Sequence, residues 1–180
     1  MDNKFKRSDS LFSLCGLNCG LCPMYIRVNC GGCFTDSPCY PTYPIAPCSV
    51  RHGNVEYCFE CSEYPCPRYD GIDLHDSLIS HRNQKKDLAK AKKIGIEAYL
   101  EEQRAKKKIL DRLLTEYDDG RRDVFFCLAV NMLEVEDLTA FLDHADRETD
   151  RMTRQEKAAF VERQLRLCAE KAGVPLFLRK

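Results

Sequence analysis

The chain carries no net charge, since 28 basic residues balance 28 acidic ones, and this argues against a general nucleic-acid binder, which needs a basic excess. It has no run of 18 apolar residues, so no bilayer-crossing helix is predicted. Met1 to Ser10 is charged and lacks the apolar run of a signal peptide behind it, which makes cytoplasmic residence the expectation. A P-loop, a dinucleotide-binding glycine fingerprint and a zinc-protease helix are all missing, so none of those reactions is indicated. Proline almost vanishes after residue 72, where Pro175 is the only one.

Cysteine is what the chain has in abundance. Ten of its twelve cysteines fall between Cys15 and Cys66. They read Cys15-x3-Cys19-x2-Cys22, Cys30-x2-Cys33, the isolated Cys39 and Cys48, Cys58-x2-Cys61 and Cys66. In a reducing compartment a framework of five disulfides would not persist, so the repeated Cys-x2-Cys spacing favours metal. A short turn aims both sulfurs of such a pair at one ion, and four thiolates make the closed tetrahedral shell of structural Zn(II). Two or more zinc ions are expected, with all ten of these cysteines as candidate ligands and no catalytic residue. One grouping takes Cys15, Cys19 and Cys22 with Cys30 or Cys33, and a second takes Cys48, Cys58, Cys61 and Cys66; other pairings fit equally well. His52 reads first as an ordinary polar side chain, as do His75, His81 and His144. Cys127 and Cys168 lie in apolar helical patterns and read as core residues.

The Cys15-x3-Cys19-x2-Cys22 opening keeps a second chemistry in play. It resembles the iron–sulfur motif of radical enzymes that cleave S-adenosylmethionine, although the chain after it is neither long nor strand-rich enough for their barrel. A ferredoxin-like carrier of a [4Fe-4S] cluster is the closer alternative.

The series Cys15-Gly-Leu-Asn-Cys19-Gly-Leu-Cys22-Pro23, Cys30-Gly-Gly-Cys33 and Tyr57-Cys58-Phe59-Glu60-Cys61-Ser62-Glu63-Tyr64-Pro65-Cys66 resembles DUF3795, a family of cysteine-rich microbial proteins. The resemblance runs from Cys15 to about Leu100. It implies a zinc-binding region and brings no substrate or catalytic residue with it.

The predicted fold is a small irregular cysteine-rich metal-binding module followed by an all-α region. The expected layout is a polar tail over 1–14, the module over 15–70, a bridge over 71–83 and a helical domain over 84–180. Pro38, Pro41, Pro44 and Pro47 exclude long helices around Cys39 and Cys48. From Gln84 to Tyr117 apolar residues recur at helical spacing, with Gly95 marking a bend or a break. Val124 to Leu133 reads as a buried helix, and Leu138, Phe141, Leu142 and Ala145 as one face of the next. Thr153 with Glu156 forms a capping box before a last helix that ends near Gly173 and Pro175. The helical region is expected to serve a protein partner or self-association. Lys85, Lys86, Lys92, Lys93 and Lys106 to Lys108 offer a weaker case for a nucleic-acid adaptor, because acidic residues interrupt the run.

Overall fold

The computed structural model describes residues 5, 7–34, 37–40 and 43–180; Pro41 and part of the expected N-terminal tail lie outside the described residues. The described residues form helices and turns and no strand, an α-rich architecture.

Up to residue 83 regular structure is short. Helix α1 (Pro23–Ile26) opens on a proline, whose missing N–H is harmless in a first turn, and α2 (Ile45–Arg51) follows the proline-rich stretch. Single 3-10 turns over Cys19–Leu21, Cys58–Glu60 and Pro67–Tyr69 do the rest. Beyond residue 83 the helices lengthen. Helix α3 (Gln84–Ile94) meets α4 (Ile96–Arg112) at Gly95, whose φ of 89° lies in the region that favours glycine, so the two helices are separate. A π-turn over Leu113–Tyr117 extends α4, and α5 (Asp123–Met132), α6 (Val135–Thr149) and α7 (Arg154–Lys171) complete the chain. The Thr153–Glu156 capping box starts α7 with reciprocal bonds: Thr153 N donates to Glu156 Oε2 at 2.8 Å and Glu156 N donates to Thr153 Oγ1 at 3.4 Å.

Two apolar cores result, and both join the cysteine-rich stretch to the helices. One gathers Leu110, Leu113, Phe126, Val130, Leu138, Phe141, Leu142, Val161 and Leu165, and it also takes in Leu21 from the Cys19–Leu21 turn. The other stacks Phe12, Leu14, Tyr57 and Tyr69 on Leu88, Ala91, Tyr99 and Leu100 of α3 and α4. Phe5, Phe12 and Leu14 are buried, so the described part of the stretch read as a polar tail is packed. The Phe12 ring lies 5.7 Å from that of Tyr57 and 4.6 Å from that of Tyr99, aromatic partners that no local pattern announces. Helix α4 is the hub: it touches α3, α5, α6 and the Cys19–Leu21 turn. Among the described residues no helix is long and apolar enough to cross a membrane.

Candidate metal centres

The ten cysteines sort themselves around two cavities. The first is lined by Cys48, Cys58, Cys61 and Cys66, with Ile45, Val55, Tyr64 and Tyr69 as apolar wall, and has a volume of about 30 Å³. The thiols arrive on three pieces of backbone: Cys48 from α2, Cys58 and Cys61 from the two ends of one 3-10 turn, and Cys66 from just before the Pro67–Tyr69 turn. A peptide bond in the cis form joins Tyr64 to Pro65 between the last two. Burial pushes the Cys58 thiol up to about 12.

The second cavity is lined by Cys15, Cys19, Cys22, Cys30, Cys33 and Cys39 and measures about 370 Å³. Its wall is largely apolar or aromatic, with Leu17, Met24, Phe34, Tyr40, Tyr43 and Ile79 prominent. The Cys19 thiol is held well above the ordinary range, first by burial and then by its thiol neighbours Cys15, Cys33, Cys22 and Cys39. Cys33 is pushed up to about 11, again chiefly by burial. Backbone amides partly offset the rise at two thiols: those of Met24 and Tyr25 point at the Cys22 sulfur and that of Leu14 at Cys33. The Gly32 amide donates to the Cys30 sulfur at 3.4 Å. The sulfurs line both cavities without meeting at one point. Among the described residues, no group of three or more His, Cys, Asp or Glu side chains is close enough together to hold an ion as it stands.

The loops that carry these thiols are fitted closely to the helices. Gly16 has a φ of 96°, and a Cβ there would sit 2.5 Å from the Gln84 carbonyl oxygen and 2.6 Å from Leu88. Gln84 Nε2 in turn donates to the Cys15 carbonyl at 3.1 Å, which also accepts from the Tyr69 hydroxyl at 3.3 Å. Asn18, between Cys15 and Cys19, is buried and ties this turn to three helices. Its Nδ2 donates to Asp87 of α3 at 2.9 Å and to Asn131 of α5 at 3.2 Å, while its Oδ1 accepts from Tyr99 of α4 at 3.0 Å. Burial raises the Asp87 carboxyl to about 6, against the pull of Lys106 and of the Asn18 hydrogen bond. Sequence reasoning missed Asn18, Gln84 and Asp87; a buried polar residue inside a cysteine turn was the one available hint.

The histidines are occupied by protein partners. His52 lines the smaller cavity, but its Nδ1 lies 2.9 Å from the Cys48 carbonyl and its Nε2 3.3 Å from Glu63. His81 borders the larger one, with Nδ1 3.2 Å from the Ile72 carbonyl and Nε2 3.0 Å from Ser77 Oγ. His75 Nδ1 lies 2.9 Å from the Lys180 carbonyl, and His144 rests beside the Phe160 ring. Cys127 is buried and Cys168 half-buried on the helices, and neither lines a cavity. The basic residues of α3 and α4 are largely tied to acids: Lys85 to Asp73, Lys86 to Glu134, Lys90 to Glu102 and Lys107 to Asp111, while Lys106 is buried. Comparison with known proteins adds nothing to this geometry: no family model, curated protein or solved structure matches the chain.

Proposed function

We propose that this chain is a metal-stapled protein in which Cys48, Cys58, Cys61 and Cys66 hold one structural Zn(II). The observation that carries this reading is that four thiols, from α2, from both ends of one 3-10 turn and from the residue before the next, line a single cavity of about 30 Å³. That is about the volume of one water molecule in the liquid, ~30 Å³, and so suits a single ion drawn in with its four ligands. Soft thiolate donors favour zinc among the common divalent ions, and a four-thiolate shell leaves no position for water or substrate. The ion would supply cross-linking alone, in addition to the apolar core that Ile45, Ala46, Tyr57 and Tyr69 share with α3 and α4.

On this reading the helices are the frame that holds the cysteine loops, and the resemblance to DUF3795 is in keeping with it. A reducing, cytoplasmic setting would keep the thiols available. Contact with a protein partner or a second copy falls to exposed side chains such as Ile94, Val124, Leu167 and Phe177, because the apolar stripes of α4 to α7 are already buried against one another.

Elemental analysis and native mass spectrometry under reducing conditions test the reading. Wild-type protein should carry zinc, and Cys61→Ala should carry one zinc ion fewer with its helix content retained. Zinc-free wild-type protein, or a variant with unchanged zinc, would refute it.

A further inference from the structure

The larger cavity differs from the smaller in kind. Its volume of about 370 Å³ is roughly twelve times that of the four-cysteine cavity at about 30 Å³. One ion cannot fill it, and two zinc ions sharing the six thiolates would bring no atoms but themselves. Water is a poor occupant as well. A buried water needs two to four polar partners, and several polar groups of this wall are already engaged with protein. Ser13 Oγ lies 3.1 Å from Cys15 Sγ and accepts from Leu17 N at 2.8 Å. The Tyr25 hydroxyl pairs with Ser10 Oγ at 2.9 Å, and the Tyr43 hydroxyl accepts from Gln84 Nε2 at 3.3 Å. Both ring nitrogens of His81 are taken. Among the described residues, no lysine, arginine, aspartate or glutamate lines the space. What the wall offers a guest is sulfur set among apolar groups.

We infer that this cavity houses a polynuclear iron–sulfur cluster of the [4Fe-4S] class, ligated by the thiolates of Cys15, Cys19, Cys22 and Cys33. Inorganic sulfide is what makes the class fit: the cluster brings its own bridging atoms and so occupies space that bare ions leave empty, while asking the protein for thiolates alone. The choice of four follows from placement. Cys15, Cys19 and Cys22 reach the cavity from one short stretch of chain, and Cys33 joins them from the following Cys-x2-Cys turn. The Cys30 thiol donates within its own turn, to the Gly32 carbonyl oxygen at 3.7 Å, which sets it apart from Cys33. Amides aimed at the Cys22 and Cys33 sulfurs are of the kind that hold and tune such clusters.

This inference stands apart from the zinc reading, and one metal inventory separates them. Full-length protein is produced with iron and cysteine in supply, purified without oxygen, and assayed for iron, acid-labile sulfide, zinc and copper. Its visible absorption is recorded, and its paramagnetic resonance after one-electron reduction with dithionite. The expected result is about four iron and four sulfide per chain, with a brown colour and a resonance signal in the reduced form. Cys19→Ala should lose iron, sulfide and colour together, whereas Cys30→Ala should keep them; retained zinc and helical circular dichroism show that either variant has folded. Protein with zinc or copper but no sulfide in the six-thiol cavity overturns the inference, as does a folded Cys19→Ala chain that keeps its cluster. Iron and sulfide without any zinc would uphold it and refute the zinc reading instead.

Discussion

The two cysteine cavities use the same Cys-x2-Cys turn and arrive at different ends. Around the smaller one, Cys48, Cys58, Cys61 and Cys66 come from a continuous stretch of chain that folds back on itself, and the thiols enclose room for one ion. Around the larger one, the stretch from Cys15 to Cys33 is pinned from outside by the Asn18 and Gln84 hydrogen bonds to α3, α4 and α5, so its sulfurs are held apart on a fixed frame. The difference teaches that thiol spacing in sequence sets the turn, while whatever anchors the turn sets how far the sulfurs can close.

Chelation is the strongest way to break this contrast. The stretch 45–69 is anchored in the second core by Ile45, Ala46, Tyr57 and Tyr69, and the turns between these anchors are short, so loss of zinc under reducing conditions should let those turns open, whereas α5, α6 and α7 stay packed in their own core. Structural zinc sites contribute about 10–16 kcal/mol in isolated zinc-finger peptides, which places this effect first. Hydrogen exchange checks it: amide protection should collapse over 45–69 and persist in α5 to α7. Unchanged protection over 45–69 would mean that the aromatic core, not metal, holds the smaller cavity.

Phe12→Ala tests the frame itself. The side chain is fully buried between Tyr57, which leads into the smaller cavity, and Tyr99, which holds Asn18 beside the larger. Truncating a buried phenylalanine typically costs about 3–5 kcal/mol. Denaturant unfolding should show a loss in that range, and metal content should drop at both cavities. A drop at one alone would show that the two are independently supported.

Much of this arrangement was legible where it was local. Gly95 as a break, Thr153–Glu156 as a cap and Val124 to Leu133 as a buried helix each follow from periodicity or a single φ requirement, which a sequence displays directly. The gathering of Cys48, Cys58, Cys61 and Cys66 was one of several groupings that the spacing allowed. The rest depends on contacts between residues far apart in the chain. Phe12 on Tyr99 and Asn18 on Asp87 and Asn131 cannot be read from any window of neighbouring residues, and neither can six thiols sharing one cavity, three of them beyond α1.

Asp87 gives a pH test of the frame around the larger cavity. Its carboxyl is raised from 3.8 to about 6, chiefly by burial. Below about pH 4 both folded and unfolded chains keep this proton, and the group has no effect on stability. As pH rises from 4 to 6 the unfolded chain releases the proton while the folded chain holds it, so stability falls; above 6 the full penalty stands, at most about 3 kcal/mol. Asp87→Asn removes this dependence. Acid also weakens thiolate–metal bonds, but it does so in both chains, so the difference between their unfolding free energies isolates Asp87. That difference, wild type minus variant, should decline from pH 4 to 6 and then level off. A flat difference would show that the carboxyl titrates alike in both states.

Thr153→Ala is the smallest effect and the cleanest control. Thr153 and Glu156 satisfy each other's backbone amides at the start of α7. The residue borders neither cavity. Loss of a threonine cap typically costs about 1 kcal/mol, so the unfolding midpoint should shift modestly while the inventory of zinc, iron and sulfide stays the same. Because α7 packs on the core that also takes in Leu21, one turn of chain separates this helix from Cys19 and Cys22. A variant that unfolds at a slightly lower denaturant concentration yet keeps its metals would show that this turn is buffered by the Asn18 network. A variant that also loses metal from the larger cavity would show instead that the six-thiol site is only as firm as the helical core beneath it.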